Sequence, residues 1–475
     1  MGSIRIRYCQ LDRKPYLVFI SGLKLSSMEK KHQRRSGATS PLKDPLKLLI
    51  WLYLILLLFE GALRKWVLPG MSDPLLIIRD PLVFPIYFLA YLRTPKSIVN
   101  PYTMSMTLTA LAGMLTAIVL GHGNLMVAAF GVRTLILHFP MIFVIGYHLR
   151  RDDVILIGKF LLLLTIPMTL LLAAQFSSPQ SAWVNLAPGG SYGGGLSGAL
   201  GKFRPPGTFS FITGVVQYYT LTMAFLMSAL FERRYFSLWA TIAVASSILV
   251  SIPVSISRSL LLNLLIVVAA AFYGVRRAGG SMHLFGRLAL ISLIGFIVAS
   301  QFDVFDDGIE AFTARWEIST SEQSGGFKTA ILGRFFGELT RPISQVFNTP
   351  AFGNGIGLGT QVGAKITTGT KGFLMGEGEW ERIIYEMGGI LGLTVILTRV
   401  MLCVRIGRLT HFVLARRNLL PWLLFSASVL LLFNGQWGQP TTLGFAVFGA
   451  GLSLAALRRT ETPTSPSRRK ENETC

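Results

Sequence analysis

Long apolar blocks with few charges are the feature that most constrains this chain. Each block is close to the roughly 20 residues that a helix needs to cross a bilayer core of about 30 Å. The apolar residues run continuously rather than in alternation, and only helices or closed barrels can cross lipid, so the blocks predict helices. Of the 475 residues, 51% are hydrophobic and 14% are charged, whereas soluble domains carry about 25% charged residues.

These blocks predict an all-α polytopic membrane protein with about 12 transmembrane helices. They cover residues 46–63, 75–92, 102–121, 125–147, 153–174, 208–231, 235–256, 259–275, 284–300, 388–404, 419–434 and 441–457. The predicted organisation is a basic tail (1–43), helices 1–9 (44–300), a large extracytoplasmic loop with amphipathic helices (301–387), helices 10–12 (388–457) and a second tail (458–475).

Basic residues are distributed unequally between the two sides of this layout. Ten of them lie in residues 1–43, whereas the short outer connections hold only Arg64, Lys65, Lys202, Arg204 and Arg258. The positive-inside rule therefore predicts that both termini are cytoplasmic. The net charge of +22 then reflects topology, with attraction to anionic lipid adding to it. A nucleic-acid partner is not expected.

Neither a metal nor another cofactor is expected. The three cysteines, Cys9, Cys403 and Cys475, form no disulfide framework and no CxxC metal motif.

A few ionisable residues lie within or at the ends of the apolar blocks. Glu60 and Arg64 have the i, i+4 spacing of a helical ion pair. The neighbours Arg79 and Asp80 either neutralise each other or mark a functional site. A charge at the depth of Arg133 costs about 2.5–3.5 kcal/mol, so we expect it to face the bundle interior, where Asp80 would satisfy it. His138 is expected to form a helix–helix hydrogen bond.

The large loop combines amphipathic segments with a glycine-dense turn. Residues 327–347 have the apolar periodicity of a surface helix, with Arg334 in its polar row. The turn "NTPAFGNGIGLGT" follows, and then "GEGEWERIIYEMGGILGL". On a helix there, Glu379, Arg382 and Glu386 are spaced i, i+3, i+7 and lie on one side.

Four short motifs resemble a known family. They are "SRS" at the head of a block, "GRFFGELTRP", "PAFGNGIGLG" and "YEMGGILGL", and in this order they are similar to the O-antigen ligase/polymerase family of bacterial membrane glycosyltransferases. The resemblance covers about residues 250–395 and the twelve-span layout. It implies an inner-membrane enzyme that moves a glycan from an undecaprenyl diphosphate carrier to an acceptor hydroxyl on the extracytoplasmic side, in surface polysaccharide biosynthesis.

The resemblance also suggests site residues. Arg258 and Arg334 match the family's arginines and are expected to bind the diphosphate, and we add Arg204 and Arg382 as supporting contacts. Ligases of the family place a histidine nine residues before the glutamate of "E-x-G", which is Glu386 here.

The residue at the histidine position is Glu377, and residues 301–387 contain no histidine. Glu377 or Glu379 is then the candidate catalytic base, or the chain is a polymerase-like relative with another acceptor. Two other functions stay open: a transporter or flippase for a lipid-linked glycan or anionic lipid, and a structural partner in an export complex.

Overall fold

The computed structural model is mostly helical, at 76%. It describes residues 44–193, 196–232, 237–280, 283–321, 349–369 and 378–458, together with residues 340, 342, 344 and 346. The chain divides into a short first unit that ends at Leu48 and a second unit that begins at Leu49. The structural features below lie in the second unit.

The helices are numbered here in chain order. They are α1 (Pro45–Ala62), α2 (Ser72–Leu75), α3 (Asp80–Arg93), α4 (Pro101–Val119), α5 (Leu125–Ile136), α6 (Met141–His148), α7 (Arg151–Ser177), α8 (Ile212–Glu232), α9 (Leu238–Val254), α10 (Arg258–Arg277), α11 (His283–Ala299), α12 (Asp303–Ser321), α13 (Gln361–Thr368), α14 (Glu379–Leu414), α15 (Leu420–Asn434) and α16 (Pro440–Ala455). Two short strands, β1 (Leu196–Ser197) and β2 (Phe203–Arg204), form an antiparallel hairpin.

Seven helices of the described residues are long and apolar enough to cross a membrane, or eight if the bent pair Pro69–Leu75 and Asp80–Arg93 is one span. Each of the twelve predicted blocks coincides with helical structure. However, α9, α15 and α16 have only 15 to 17 residues, which is fewer than the roughly 20 that a perpendicular span needs. A helical membrane protein is therefore supported, and the number of about 12 spans stays a prediction.

The interior of the second unit is organised around α16. This helix packs against α6, α8 and α15, and its residues 442–453 are buried. Close packing there depends on small residues, because a Cβ atom at Gly451 would lie 2.7 Å from the Ile145 Cβ atom of α6. Small residues that let two backbones approach are a general feature of helix packing in membranes.

One long helix contains a break. Gly388 in α14 has φ +71° and ψ −176°, a backbone conformation that residues with a side chain rarely adopt. The break leaves carbonyl groups of the preceding turn without their usual helical donors.

A turn of residues 349–360, which we call the glycine turn, supplies replacement partners at this break. The hydrogen bonds run from Asn354 N to Tyr385 O (3.0 Å), from Gly355 N to Glu386 O (2.9 Å) and from Ile390 N to Ala351 O (3.4 Å). The glycine turn is thus joined to α14 by main-chain hydrogen bonds.

The predicted large loop is described only in part. The predicted surface helix at 327–347 lies mostly outside the described residues, and so does Arg334. The loop begins with α12, a helix of 19 residues that the sequence analysis did not predict. Its apolar positions are interrupted by acidic residues, so it lacks the continuous apolar pattern by which the other helices were predicted. The predicted domain boundaries stay predictions.

Candidate functional site

Ionisable side chains meet between α1, α3 and α5 and in the connections that adjoin these helices. We call this group the first charge cluster, and its members are Glu60, Arg64, Lys65, Arg79, Asp80, Arg133 and His138. Asp80 and Arg133 are half-buried and the other five are buried. Because ionisable groups are costly at membrane depth, a cluster of this kind is a candidate functional site.

The two adjacent residues Arg79 and Asp80 do not neutralise each other through a direct ion pair. The Arg79 Nε atom lies 3.2 Å from Glu60 Oε2, whereas the Asp80 carboxylate accepts hydrogen bonds from Arg133 Nε and Nη2. The prediction that Asp80 satisfies Arg133 is confirmed.

His138 connects these pairs across the helices. Its Nε2 lies 3.0 Å from Asp80 Oδ1, and its Nδ1 lies 3.2 Å from the Tyr53 hydroxyl, which in turn accepts a hydrogen bond from Arg79. The predicted helix–helix hydrogen bond of His138 is therefore present.

Lys65 differs from the other cations of the cluster. Its side chain is almost completely buried, with 1% exposure, yet it makes no ion pair with a carboxylate of the described residues. Its Nζ donates a hydrogen bond to the carbonyl oxygen of Gly207 (2.5 Å) and lies 4.4 Å from the Trp66 ring centroid. A buried ammonium group without a carboxylate carries a desolvation cost that these neutral contacts offset only in part.

The segment 205–210, which follows Arg204, lies against the end of α1. The Thr208 hydroxyl donates to the Leu58 carbonyl oxygen (2.6 Å), and Arg64 Nη1 donates to the Ser210 hydroxyl (2.9 Å). A Cβ atom at Gly61 would lie only 2.4 Å from the backbone of this segment. Arg64, Lys65 and the segment that follows Arg204 thus lie in one region.

Charge is not balanced in the first charge cluster. It contains four basic residues, Arg64, Lys65, Arg79 and Arg133, against two carboxylates, Glu60 and Asp80. The Arg64–Glu60 contact is 3.6 Å, so Glu60 is shared between Arg64 and Arg79. The surplus of cations favours an anion in or near this cluster.

Arg258 lies close to the hairpin that carries Arg204. It is the first residue of α10, and Ser257 caps that helix by accepting a hydrogen bond from Leu260 N. A Cβ atom at Gly198, in the hairpin turn, would lie 2.7 Å from the side chain of Ile256. The structure therefore brings the segments of Arg204 and Arg258 together, and both arginines are half-buried.

A second charge cluster lies on α14, and its members are Glu379, Arg382, Glu386 and Arg399. Arg382 donates to Glu379 Oε1 (2.9 Å), to Glu379 Oε2 (3.0 Å) and to Glu386 Oε2 (2.8 Å). Arg399 donates to Glu379 Oε1 (2.9 Å), and its guanidinium carbon lies 3.9 Å from the Trp437 ring centroid. Two carboxylates balance two guanidinium groups here.

The contacts of Glu379 and Arg382 bear on their predicted roles. The Glu379 side chain has 0% exposure and accepts hydrogen bonds from two guanidinium groups and from Trp437 N. These contacts occupy both carboxylate oxygens of Glu379 within the protein. This geometry favours a structural role for Glu379 and Arg382, while the predicted roles in proton transfer and diphosphate binding stay untested.

Residues 436–440, which run from the connection after α15 into the first residue of α16, contact both charge clusters. Trp437 N donates to Glu379 of the second cluster (3.2 Å), and Arg79 of the first cluster donates to the Pro440 carbonyl oxygen (2.6 Å). The Phe139 and Trp437 ring centroids are 5.8 Å apart, next to His138. One short connection thus contacts both charge clusters.

Of the predicted site residues, Glu377 and Arg334 lie outside the described residues. Arg399 and the isolated cation Lys65 were not predicted as site residues. The sequence does indicate Arg399 as a candidate, because it is the one charged residue within an otherwise apolar block. The sequence indicates Lys65 less clearly, since a lysine at a predicted membrane boundary normally extends its amino group to the interface and is not expected to be buried.

These features define a helical membrane protein with two buried charge clusters, one of which holds more cations than carboxylates. No protein-family model matches the chain, and no curated protein matches it. Among the described residues, no three His, Cys, Asp or Glu side chains are placed to hold a metal ion.

Proposed function

We propose that this chain is a membrane glycosyltransferase of the O-antigen ligase/polymerase type. It transfers a glycan from undecaprenyl diphosphate to an acceptor hydroxyl outside the cytoplasm of a bacterial cell. The observation that carries the proposal is the buried side chain of Lys65, which has no carboxylate partner in the described structure and lies beside Arg64 and the segment that follows Arg204. A diphosphate supplies the negative charge that this region lacks.

Glycan transfer from a diphosphate carrier requires positive charge beside the departing diphosphate. The acceptor oxygen attacks the anomeric carbon, the bond from that carbon to the diphosphate oxygen breaks, and the electron pair leaves with the undecaprenyl diphosphate. Fixed cations in a region of low dielectric stabilise the leaving group without the reorganisation that water requires. We assign this role to Lys65, Arg64, Arg204 and Arg258, together with Arg334 by resemblance.

The proton of the acceptor hydroxyl needs a base. Glu377 is the better of the two predicted carboxylates, because Glu379 is held by Arg382 and Arg399. For the same reason we propose that Arg382 stabilises α14 through Glu379 and Glu386 rather than binding the diphosphate.

Deletion of the gene in its host tests the reaction class. A transferase predicts that long surface glycan is lost while carrier-linked units accumulate on the outer face of the inner membrane. Accumulation on the inner face would instead identify a flippase.

A specific observation favours the flippase as the second candidate. The described chain contains two interrupted helices, the pair bent by 41° before α3 and α14 with its break at Gly388. Discontinuous helices that adjoin charged residues are common at transporter binding sites. The face on which the carrier-linked units accumulate decides between the two functions.

Substitution of Lys65 tests the site. Lys65→Met keeps an unbranched side chain only one atom shorter and removes the amino group, so we expect glycan transfer to fall by about 10²-fold or more. The same change removes an uncompensated buried charge, so the thermal stability in detergent is expected to stay equal or to rise. Loss of activity together with unchanged or greater stability is the signature of a residue whose charge serves function.

The matched control is Lys96→Met, which removes an exposed lysine at the other end of α3. Transfer by this variant is expected to match that of the unsubstituted protein. Normal transfer by a correctly folded Lys65→Met variant would show that the diphosphate does not depend on Lys65.

A further inference from the structure

Two arginines and two tyrosines meet at the end of the helices that lies opposite both charge clusters. This end is where α4 begins and where α6 and α16 end, and we call the four residues Tyr102, Tyr147, Arg405 and Arg458 the arginine–tyrosine group. The Arg405 guanidinium carbon lies 5.5 Å from the Tyr102 ring centroid, and that of Arg458 lies 5.7 Å from the Tyr147 ring centroid. The Tyr102 ring stacks on that of Phe143, which lies four residues before Tyr147 on α6, with 6.1 Å between the ring centroids.

The arginines come from different helices, and packing holds them in place. Arg405 lies on α14, which packs against α4, while Arg458 follows α16, which packs against α6. The Arg458 Nη1 atom donates to the main-chain oxygen of Tyr147, and this hydrogen bond orients the guanidinium group. Two guanidinium groups from different parts of the chain are therefore held at one end of the helices, each against a tyrosine ring.

Arg405 makes no ion pair with a carboxylate of the described residues, and its side chain is exposed. The acidic residues nearest to Tyr147 in sequence, Asp152 and Asp153, begin α7, where Asp153 accepts a hydrogen bond from Arg150 N (2.8 Å). An anion from outside the chain can therefore reach the exposed guanidinium group of Arg405. A phosphate fits the planar, forked geometry of the guanidinium group.

An exposed apolar row continues from Arg405 along α14. Met401 and Leu397, four and eight residues before Arg405, have 59% and 52% exposure and lie on the same helix face. Met104 and Leu108 of the neighbouring α4 are also exposed. A ligand at Arg405 thus meets charge at the helix end and hydrocarbon along the helices, which is the polarity of a phospholipid.

We infer that the arginine–tyrosine group binds the phosphate of an anionic membrane phospholipid, with the acyl chains along the exposed faces of α4 and α14. Arg405 and Arg458 contact the phosphate oxygens, and the Tyr147 hydroxyl donates a third hydrogen bond. The site lies at the opposite end of the helices from the charge clusters, so the inference does not depend on the proposed function.

Native mass spectrometry of the purified full-length chain tests this inference. After exchange into vesicles of phosphatidylcholine and phosphatidylglycerol and then extraction, we expect one phosphatidylglycerol to be retained. The double variant Arg405→Gln/Arg458→Gln is expected to retain about tenfold less, because it loses two charge-assisted contacts. Tyr147→Phe keeps the ring that Arg458 contacts and is expected to give an intermediate loss.

The matched control is Arg276→Gln. Arg276 is also exposed, lies at the same end of the helices and contacts a ring, that of Phe272, at 5.2 Å. Its ring belongs to its own helix, however, so the control removes a charge without removing the arginine–tyrosine group. We expect it to retain the lipid as the unsubstituted protein does.

Two results would overturn the inference. Equal loss of phosphatidylglycerol in the control and the double variant would show general surface attraction rather than a site. Inorganic phosphate that raises thermal stability as much as phosphatidylglycerol does would show that the acyl chains contribute nothing and that the ligand is not a lipid.

Discussion

At the residue scale, the first charge cluster shows how a chain places ionisable groups between apolar helices. Asp80 is the clearest case, because its carboxylate accepts from Arg133 and also contacts His138. Each charge offsets the desolvation of the other, and removal of one partner leaves the second buried and uncompensated.

We therefore expect Asp80→Asn to destabilise the protein by about 2–3 kcal/mol, which is less than the roughly 3–5 kcal/mol for a fully buried ion pair because both side chains are half-buried. Thermal unfolding of the purified protein in detergent measures the change. The control is Asp73→Asn, which breaks the exposed ion pair between Asp73 and Lys365 and is expected to cost about 0–1 kcal/mol. Equal effects of the two substitutions would mean that the Asp80–Arg133 pair is solvated.

At the element scale, the glycine turn and the break in α14 depend on each other. A Cβ atom at Gly388 would lie 2.2 Å from the Ala351 carbonyl oxygen, and one at Gly353 would lie 2.4 Å from the Glu386 carbonyl oxygen. Glu386 adds a side-chain contact, since its Oε1 accepts a hydrogen bond from Gly359 N (2.7 Å). The glycine turn therefore also fixes a carboxylate of the second charge cluster.

Gly388→Ala tests whether the glycine turn and the break in α14 depend on each other. We expect it to destabilise the protein by at least about 1–3 kcal/mol, because the positive φ is unfavourable for alanine and the Cβ atom meets backbone that cannot move alone. Limited proteolysis should also cut the glycine turn faster.

Gly389→Ala is the control for that substitution. Its Cβ atom would lie 2.9 Å from a side-chain methyl group of Val346 and 3.9 Å from the Val346 carbonyl oxygen, and Gly389 has no positive φ, so a smaller effect is expected. Full stability and unchanged proteolysis of Gly388→Ala would show that the glycine turn and the break in α14 do not depend on each other.

At the scale of the whole molecule, the two ends of the helices carry different chemistry. One end holds the two charge clusters and the glycine turn, and the opposite end holds the arginine–tyrosine group and further exposed arginines. The positive-inside rule predicts that the end with the charge clusters faces outward.

Single-cysteine labelling of cells tests this orientation. In a background with Cys9, Cys403 and Cys475 replaced by serine, Gly70→Cys at the cluster end is expected to react with a membrane-impermeant maleimide in intact cells. A cysteine fits at this position because no heavy atom lies within 4 Å of a Cβ atom there. Arg408→Cys, at the opposite end, is expected to react only after permeabilisation, and the reverse pattern would invert the topology.

Much of the fold could be predicted from sequence, because a transmembrane helix is determined by local composition. Every predicted block coincides with helical structure, and the i, i+3, i+7 spacing of Glu379, Arg382 and Glu386 indicated that they share one side of a helix. Their burial was not predictable, since periodicity shows which residues share a face but not what that face contacts.

The sequence by itself determined that apolar helices dominate this protein and that a few charges lie among them. Only the tertiary structure decided that Arg79 pairs with Glu60, that Arg399 reaches Glu379, and that Lys65 has the Gly207 carbonyl group instead of a carboxylate. The physical reason is that a helix is stabilised by hydrogen bonds between residues close in sequence, whereas a buried charge selects its partner from whatever side chains packing brings within a few ångströms.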